Sequence, residues 1–189
     1  MPTTYVLGLG NVLMSDDGLG PAVLRAFDEQ YAVGTDVTVV DLGTPGLDLS
    51  PWLADAERVI LIDTVNAPLP PGSIRLYEKD DLLRQTPGVR VSPHDPGVKE
   101  TLMALEFAGR SPRDVVLVGI VPEVTTMGLE LTPAVAAAVP PAVLAVVKAL
   151  ERMGATVSRR AQALAVEPWW SANAKNPALG LSAPRATAV

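Results

Sequence analysis

The sequence predicts an α/β fold: a single three-layer domain with a doubly wound, mostly parallel sheet flanked by helices. Three observations lead there. Short apolar runs of strand type alternate along the chain with segments whose apolar residues recur at helical spacing. Clusters of glycine, proline and polar residues mark the changes between them. Repetition of this β-α-β order is the pattern of crossover connections, which lay successive strands parallel with helices on both faces.

Residues 4–9 read as a buried strand, and Gly18 to Tyr31 as a helix with Pro21 near its first turn and Leu19, Val23, Ala26 and Phe27 on one face. Residues 36–41 make a second strand; Gly43-Thr44-Pro45-Gly46 is the turn after it, and a short helix runs through Trp52. Residues 58–63 give a third strand. Gly72 to Glu78 alternates in polarity, which suits an antiparallel edge strand, and a polar loop carrying His94 follows. That loop feeds a helix with Asp95 as its expected N-cap, Pro96 at its first position and Val98, Leu102 and Leu105 in helical register. Residues 114–121 are the most buried-looking strand. Thr132-Pro133 opens a final helical region that Pro140-Pro141 is expected to break or kink and Gly154 to close. The domain is thus expected to occupy residues 1–154. Residues 155–189 are expected to be a disordered tail, with the composition turning after Arg160 to Ala, Pro, Ser and Asn with little periodicity. Trp169-Trp170 stands out in the tail, but no amphipathic repeat surrounds the pair to make it a docking helix.

Composition narrows the function. With 189 residues, 48% of them apolar and 19% charged, the chain is long enough for one domain with a sizeable core. Its net charge of −6 and the lack of any basic cluster larger than Arg159-Arg160 give a nucleic acid or an anionic membrane no electrostatic purchase. A count of zero cysteines excludes disulfides, thiolate metal sites and a cysteine nucleophile. The longest uncharged apolar stretch, Ala134 to Val147, reads as too short to span a bilayer and contains Pro140-Pro141. The first residues enter a strand and an acidic loop without the basic and apolar segments of a secretion signal, so cytoplasm is the expected location.

Three acidic or basic positions follow apolar runs or lie in a loop between elements. Asp16-Asp17 comes just after the first strand, Asp63 ends the third, and His94, the single histidine, sits in Ser92-Pro93-His94-Asp95-Pro96. A parallel sheet places the residues that follow its strands along one shared edge, so these groups can converge on one oxygen and nitrogen site. A nucleotide site fits poorly: Gly8-Leu9-Gly10 is followed by Leu13 where a third glycine belongs, and Asp16 and Asp17 would repel a pyrophosphate. A serine triad would need Ser15 or Ser92 beside His94 without a nucleophile elbow. Asp63-Thr64-Val65 half matches an aspartic-protease loop but has no second copy. Two carboxylates and an imidazole suit nickel, zinc, cobalt or iron and leave coordination positions open for a substrate. Each group also has an ordinary structural role to hand: Asp17 at a helix N-terminus, Asp63 in a turn, His94 anchoring its loop. Asp41 and the turn after it end another strand and can line the same cleft.

The run Gly8 to Gly20 (Gly8-Leu9-Gly10-Asn11-Val12-Leu13-Met14-Ser15-Asp16-Asp17-Gly18-Leu19-Gly20) resembles the hydrogenase maturation endopeptidase family. So do Asp41-Leu42-Gly43-Thr44-Pro45-Gly46, Ile62-Asp63, Ser92-Pro93-His94 and Leu117 to Glu123, in the same order along residues 5 to about 153. The resemblance implies an endopeptidase, of aspartic type, that removes the C-terminal extension of a [NiFe]-hydrogenase large-subunit precursor once nickel has been inserted. It also implies that Asp17, Asp63 and His94 are the nickel-reading ligands. The same three are the expected catalytic residues, with nickel's part in polarising the carbonyl or activating water and a general-base role for Asp17 or Asp63 both left open. Asp16 is expected to matter less for processing. Some members carry glutamate at the position of Asp17, a longer reach for the same carboxylate. Nickel is then carried by the precursor, and this chain is expected to bind the free ion weakly or not at all. A non-enzymatic nickel-binding maturation chaperone using the same three ligands is the alternative.

Overall fold

Among the described residues the apolar runs become seven strands: β1 (Thr4–Leu9), β2 (Tyr31–Val33), β3 (Val37–Gly43), β4 (Arg58–Thr64), β5 (Ile74–Glu78), β6 (Asp114–Ile120) and β7 (Val157–Arg159). The helices are α1 (Leu19–Gln30), α2 (Ser50–Leu53), α3 (Lys79–Arg84), α4 (Val98–Phe107) and α5 (Pro133–Arg152). The structure is a computed structural model and describes residues 4–44, 49–84 and 97–164.

Five strands form the main sheet in the order β3-β1-β4-β6-β5. The first four run parallel, and β5 closes the edge antiparallel to β6, as its alternating sequence predicts. From β1 the chain crosses to β3 on one side and then returns past β1 to β4 on the other. The order therefore reverses between the ends of β1 and β4, the place where open α/β sheets leave a crevice.

The central strands are apolar on both faces because helices cover both. Val6, Ile60, Ile62, Val116, Val118 and Ile120 face one core, shared with Leu19, Val23 and Phe27 of α1 and the buried side of α5. Their neighbours Leu7, Val59, Leu61, Val115 and Leu117 face the other, filled by Leu53 of α2, Leu82 of α3 and Leu102 of α4. Period-two alternation on the strands and a spacing of four on α1 thus feed the same three layers. Each fully buried Leu, Ile or Val contributes about 1.5–3 kcal/mol, so neither face can lose its helices cheaply.

Several elements depart from the sequence reading. Pro140 and Pro141 do not break α5, which runs uninterrupted for 20 residues. Both prolines are exposed, as are Ala136 and Ala137, whose carbonyls lose a helical donor, so water can take the place of the missing bonds. Ala138, Ala142, Val143, Val146 and Leu150 hold the opposite side in the core. By length and composition α5 could cross a membrane, contrary to the shorter stretch read from the sequence, but its apolar side packs on the sheet. Gly154 does close it: at φ 74° it lets the Ala155 N–H reach the Leu150 carbonyl and its own N–H reach Glu151.

Helix α4 begins at Val98 with Gly97 in the N-cap position, later than the expected start. Asp95 and Pro96 lie outside the described residues. Helix α3 occupies part of what reads as a polar loop, with Asp80 and Asp81 in its first turn and Arg84 in its last, the arrangement a helix dipole favours. The domain also extends past residue 154. Residues Val157–Arg159, assigned to the tail by composition, pair antiparallel with Tyr31–Val33, so Tyr31 opens a strand rather than ending α1. Beyond that, the Arg160 N–H donates to the Gln30 carbonyl and the Leu164 N–H to Glu29. Trp169 and Trp170 lie outside the described residues.

Candidate active site

The crevice is built on the loop after β1. Gly10 has φ 132°, and a Cβ there would sit 1.9 Å from the Asp17 carbonyl oxygen, so only glycine lets the loop fold back this closely. Asn11 sets the next bend: its Oδ1 accepts the Leu13 N–H at 3.0 Å and its carbonyl accepts the Met14 N–H. A 3₁₀ turn over Ser15–Gly18 then carries both aspartates into the protein. Helix α1 follows at once, and Gly20 in its first turn packs so tightly on β1 that a Cβ would meet the Leu9 carbonyl at 2.0 Å.

The two adjacent aspartates do different work. Asp16 is fully buried, and its Oδ2 accepts the N–H groups of Glu123 and Val124 at 2.8 and 2.9 Å and the Thr132 hydroxyl at 3.0 Å. Its Oδ1 accepts the Thr132 N–H at 2.6 Å. One carboxylate thereby ties both ends of the segment between β6 and α5 to the first loop. Asp17, 2% exposed, turns the other way: Oδ2 accepts the Asn11 N–H at 2.9 Å and Oδ1 the Thr64 hydroxyl at 3.3 Å.

Asp63 is the last residue but one of β4, next to β1 in the sheet, and is equally buried. Its Oδ1 accepts the Thr64 N–H at 2.7 Å. Thr64 therefore touches both carboxylates, through its hydroxyl on Asp17 and its N–H on Asp63. Two of the three predicted site residues are brought together at the ends of neighbouring strands. The third, His94, lies outside the described residues, and among those residues no cluster of three His, Cys, Asp or Glu side chains forms a metal-holding group. Asp17 and Asp63 are two buried carboxyl groups joined through Thr64, side chains of the kind that ligate a divalent cation or take a proton from water.

Asp41, at the end of β3, adjoins this site indirectly. Its Oδ1 accepts the Gly43 N–H at 3.0 Å, and the Gly43 carbonyl accepts the Gly10 N–H at 2.8 Å, stitching the two strand-end loops together. Burial raises the Asp41 carboxyl above its ordinary pKa, an effect the Gly43 N–H partly offsets. The bracing residues Asn11, Thr64 and Thr132 were not foreseen. The sequence marks Thr64 as the hydroxyl directly after Asp63, Thr132 as a helix start and Asn11 as part of the first loop, none of them as a partner of the aspartates.

Comparison with known proteins places this arrangement in context. A family profile described as hydrogenase maturation protease matches residues 21–149. The chain is 37% identical to the hydrogenase expression/formation protein HupD of Bradyrhizobium diazoefficiens over 172 residues, 87% of this chain and 90% of that protein. Among solved structures, the hydrogenase maturating endopeptidase HybD from Escherichia coli superposes with a TM-score of 0.75 at 30% identity, covering 83% of this chain and 97% of that one. The [NiFe] hydrogenase maturation protease HybD from Thermococcus kodakarensis does so with a TM-score of 0.61 at 28% identity, covering 77% and 97%.

Proposed function

The chain belongs to the hydrogenase maturation protease family, and from that premise we propose that it is an aspartate-dependent endopeptidase that removes the C-terminal extension of a [NiFe]-hydrogenase large-subunit precursor after nickel insertion. The observation that carries the reading is the Asp17-Thr64-Asp63 arrangement, two buried carboxylates held by one residue at the ends of β1 and β4. Nickel arrives with the precursor. Asp17 and Asp63, with His94 as the third donor, complete its coordination and so recognise a precursor that is ready to be cut. The same carboxylates are placed to accept a proton from the water that attacks the scissile carbonyl. Reaction in the cytoplasm, where a precursor would be met during assembly, is part of the proposal. Two carboxylates and one imidazole without a thiolate make a weak isolated site, so selectivity for nickel has to come from the substrate.

The experiment pairs metal-stripped protein with nickel-loaded and with nickel-free precursor and follows precursor mass. Loaded precursor is expected to shorten, and nickel-free precursor to stay intact even with protease in excess. Efficient cutting of nickel-free precursor in chelator would show that the carboxylates do not read the metal. Failure to shorten the loaded precursor would leave the protein a nickel-binding chaperone.

A further inference from the structure

The two segments that Asp16 ties together also carry the largest exposed apolar side chains near the cleft. Leu13 is 55% exposed, Met127 88%, Leu129 48% and Val124 38%. They lie at adjoining backbone positions. The Gly128 N–H donates to the Leu13 carbonyl at 2.9 Å, the Ser15 N–H to the Gly128 carbonyl at 2.8 Å, and the Asp16 N–H to the Val124 carbonyl at 3.1 Å. Leu13 is linked to the catalytic carboxylate through a single residue, since Asn11 bonds both the Leu13 N–H and Asp17. Leu13 and Val124 thus sit on backbone tied to the first loop, and Met127 and Leu129 flank the bonded Gly128, a grouping of exposed apolar side chains that marks an interaction surface. The rim of this surface is acidic. Glu123 and Glu130 are exposed and meet no cation among the described residues, and the segments 11–17 and 122–131 contain no lysine or arginine.

We propose that Leu13, Val124, Met127 and Leu129 form a pre-built docking platform for a segment of the precursor whose apolar residues are flanked by lysine or arginine. The proposal rests on the protease reading and names the part of the substrate that the cleft alone does not hold. Apolar contact supplies the affinity, with the unbranched Met127 adapting to the partner's shape. Glu123 and Glu130 select the basic flank and steer its approach. Asp16 holds the backbone beneath the platform through the Glu123, Val124 and Thr132 N–H groups.

The test measures Kd, KM and kcat for nickel-loaded precursor with wild type, Met127→Ser, the triple variant Leu13→Ser/Met127→Ser/Leu129→Ser and the double variant Glu123→Gln/Glu130→Gln. Because these side chains are exposed, melting temperatures should stay at the wild-type value, and the single Met127 variant guards against any misfolding of the triple. The triple variant is expected to raise Kd and KM roughly tenfold or more while kcat stays within about twofold, the pattern of lost uniform binding. The double glutamine variant should weaken binding at low salt and flatten its salt dependence. Unchanged Kd and KM in the triple variant would overturn the platform while leaving the protease reading intact. So would a fall in kcat alone. Wild type that binds precursor but never cuts it would overturn the protease reading instead, with the Kd comparison still deciding the platform. A wild-type dimer dissolved by the triple variant would show that a second copy of this chain covers the face, and would also overturn the proposal.

Discussion

Asp16 and Asp17 are neighbours in sequence with opposite tasks, and substitution should separate them. Asp17→Asn and Asp63→Asn keep the shape of buried side chains and should fold, yet lose at least about a hundredfold in cleavage rate, the usual scale for a positioned acid or base. Asp16→Ala is expected to act on stability, while the resemblance leaves it mattering less than Asp17 for cleavage. It leaves the N–H groups of Glu123, Val124 and Thr132 and the Thr132 hydroxyl without their acceptor, a loss of roughly 3 kcal/mol or more. Urea unfolding of the three variants beside their cleavage rates checks both statements; a stable Asp16→Ala protein with lost activity would contradict the assignment. The aspartates were legible because they directly follow apolar runs, and a parallel sheet fixes what that means. Their partners were not. Thr64 and Asp17 are 47 positions apart and Thr132 and Asp16 are 116 apart, and single-sequence spacing carries no information at that range.

At the scale of elements, long apolar runs and long amphipathic segments were readable, and short pieces were not. β2 and β7 have three residues each, too few to show a period, and their pairing depends on the chain returning from α5. Helix α3 hides in a charged stretch whose capping logic is visible only once its ends are known. Helix α5 runs on past the expected break for a different reason: the penalty of its prolines is offset by the packing of their neighbours. That balance is testable. Since Pro140 and Pro141 are exposed and replace two helical donors, Pro140→Ala and Pro141→Ala should each stabilise the fold by about 1 kcal/mol or more, the helix gain exceeding the entropy given back to the unfolded chain. Denaturant midpoints measure it, and a loss of stability would mean that the proline rings themselves pack against something the helix needs.

For the whole molecule, the question is where the domain ends, and the close of the last helix answers it differently from backbone pairing. Gly154, closing the last helix, suggests a boundary at 154, and the shift to small and polar residues comes only after Arg160; the chain between them makes contacts that close one end of the domain. Ala155 is buried, and Val157–Arg159 makes a two-stranded sheet with Tyr31–Val33. Arg160 and Leu164 then bond the last carbonyls of α1. These contacts belong to the first core, the one that seats α1 and so fixes the loop carrying Asp17. A chain ending at Gly154 should therefore be less stable than one ending at Leu164 by about 2–3 kcal/mol, from a few net hydrogen bonds and one or two buried apolar groups. For a domain of this size that is a fall of several degrees in melting temperature. Because the carboxylate site hangs from α1, the shorter chain should also lose cleavage at temperatures where the longer one still works, and the two activities should converge on cooling. Equal melting temperatures would place the boundary back at Gly154, where the last helix closes.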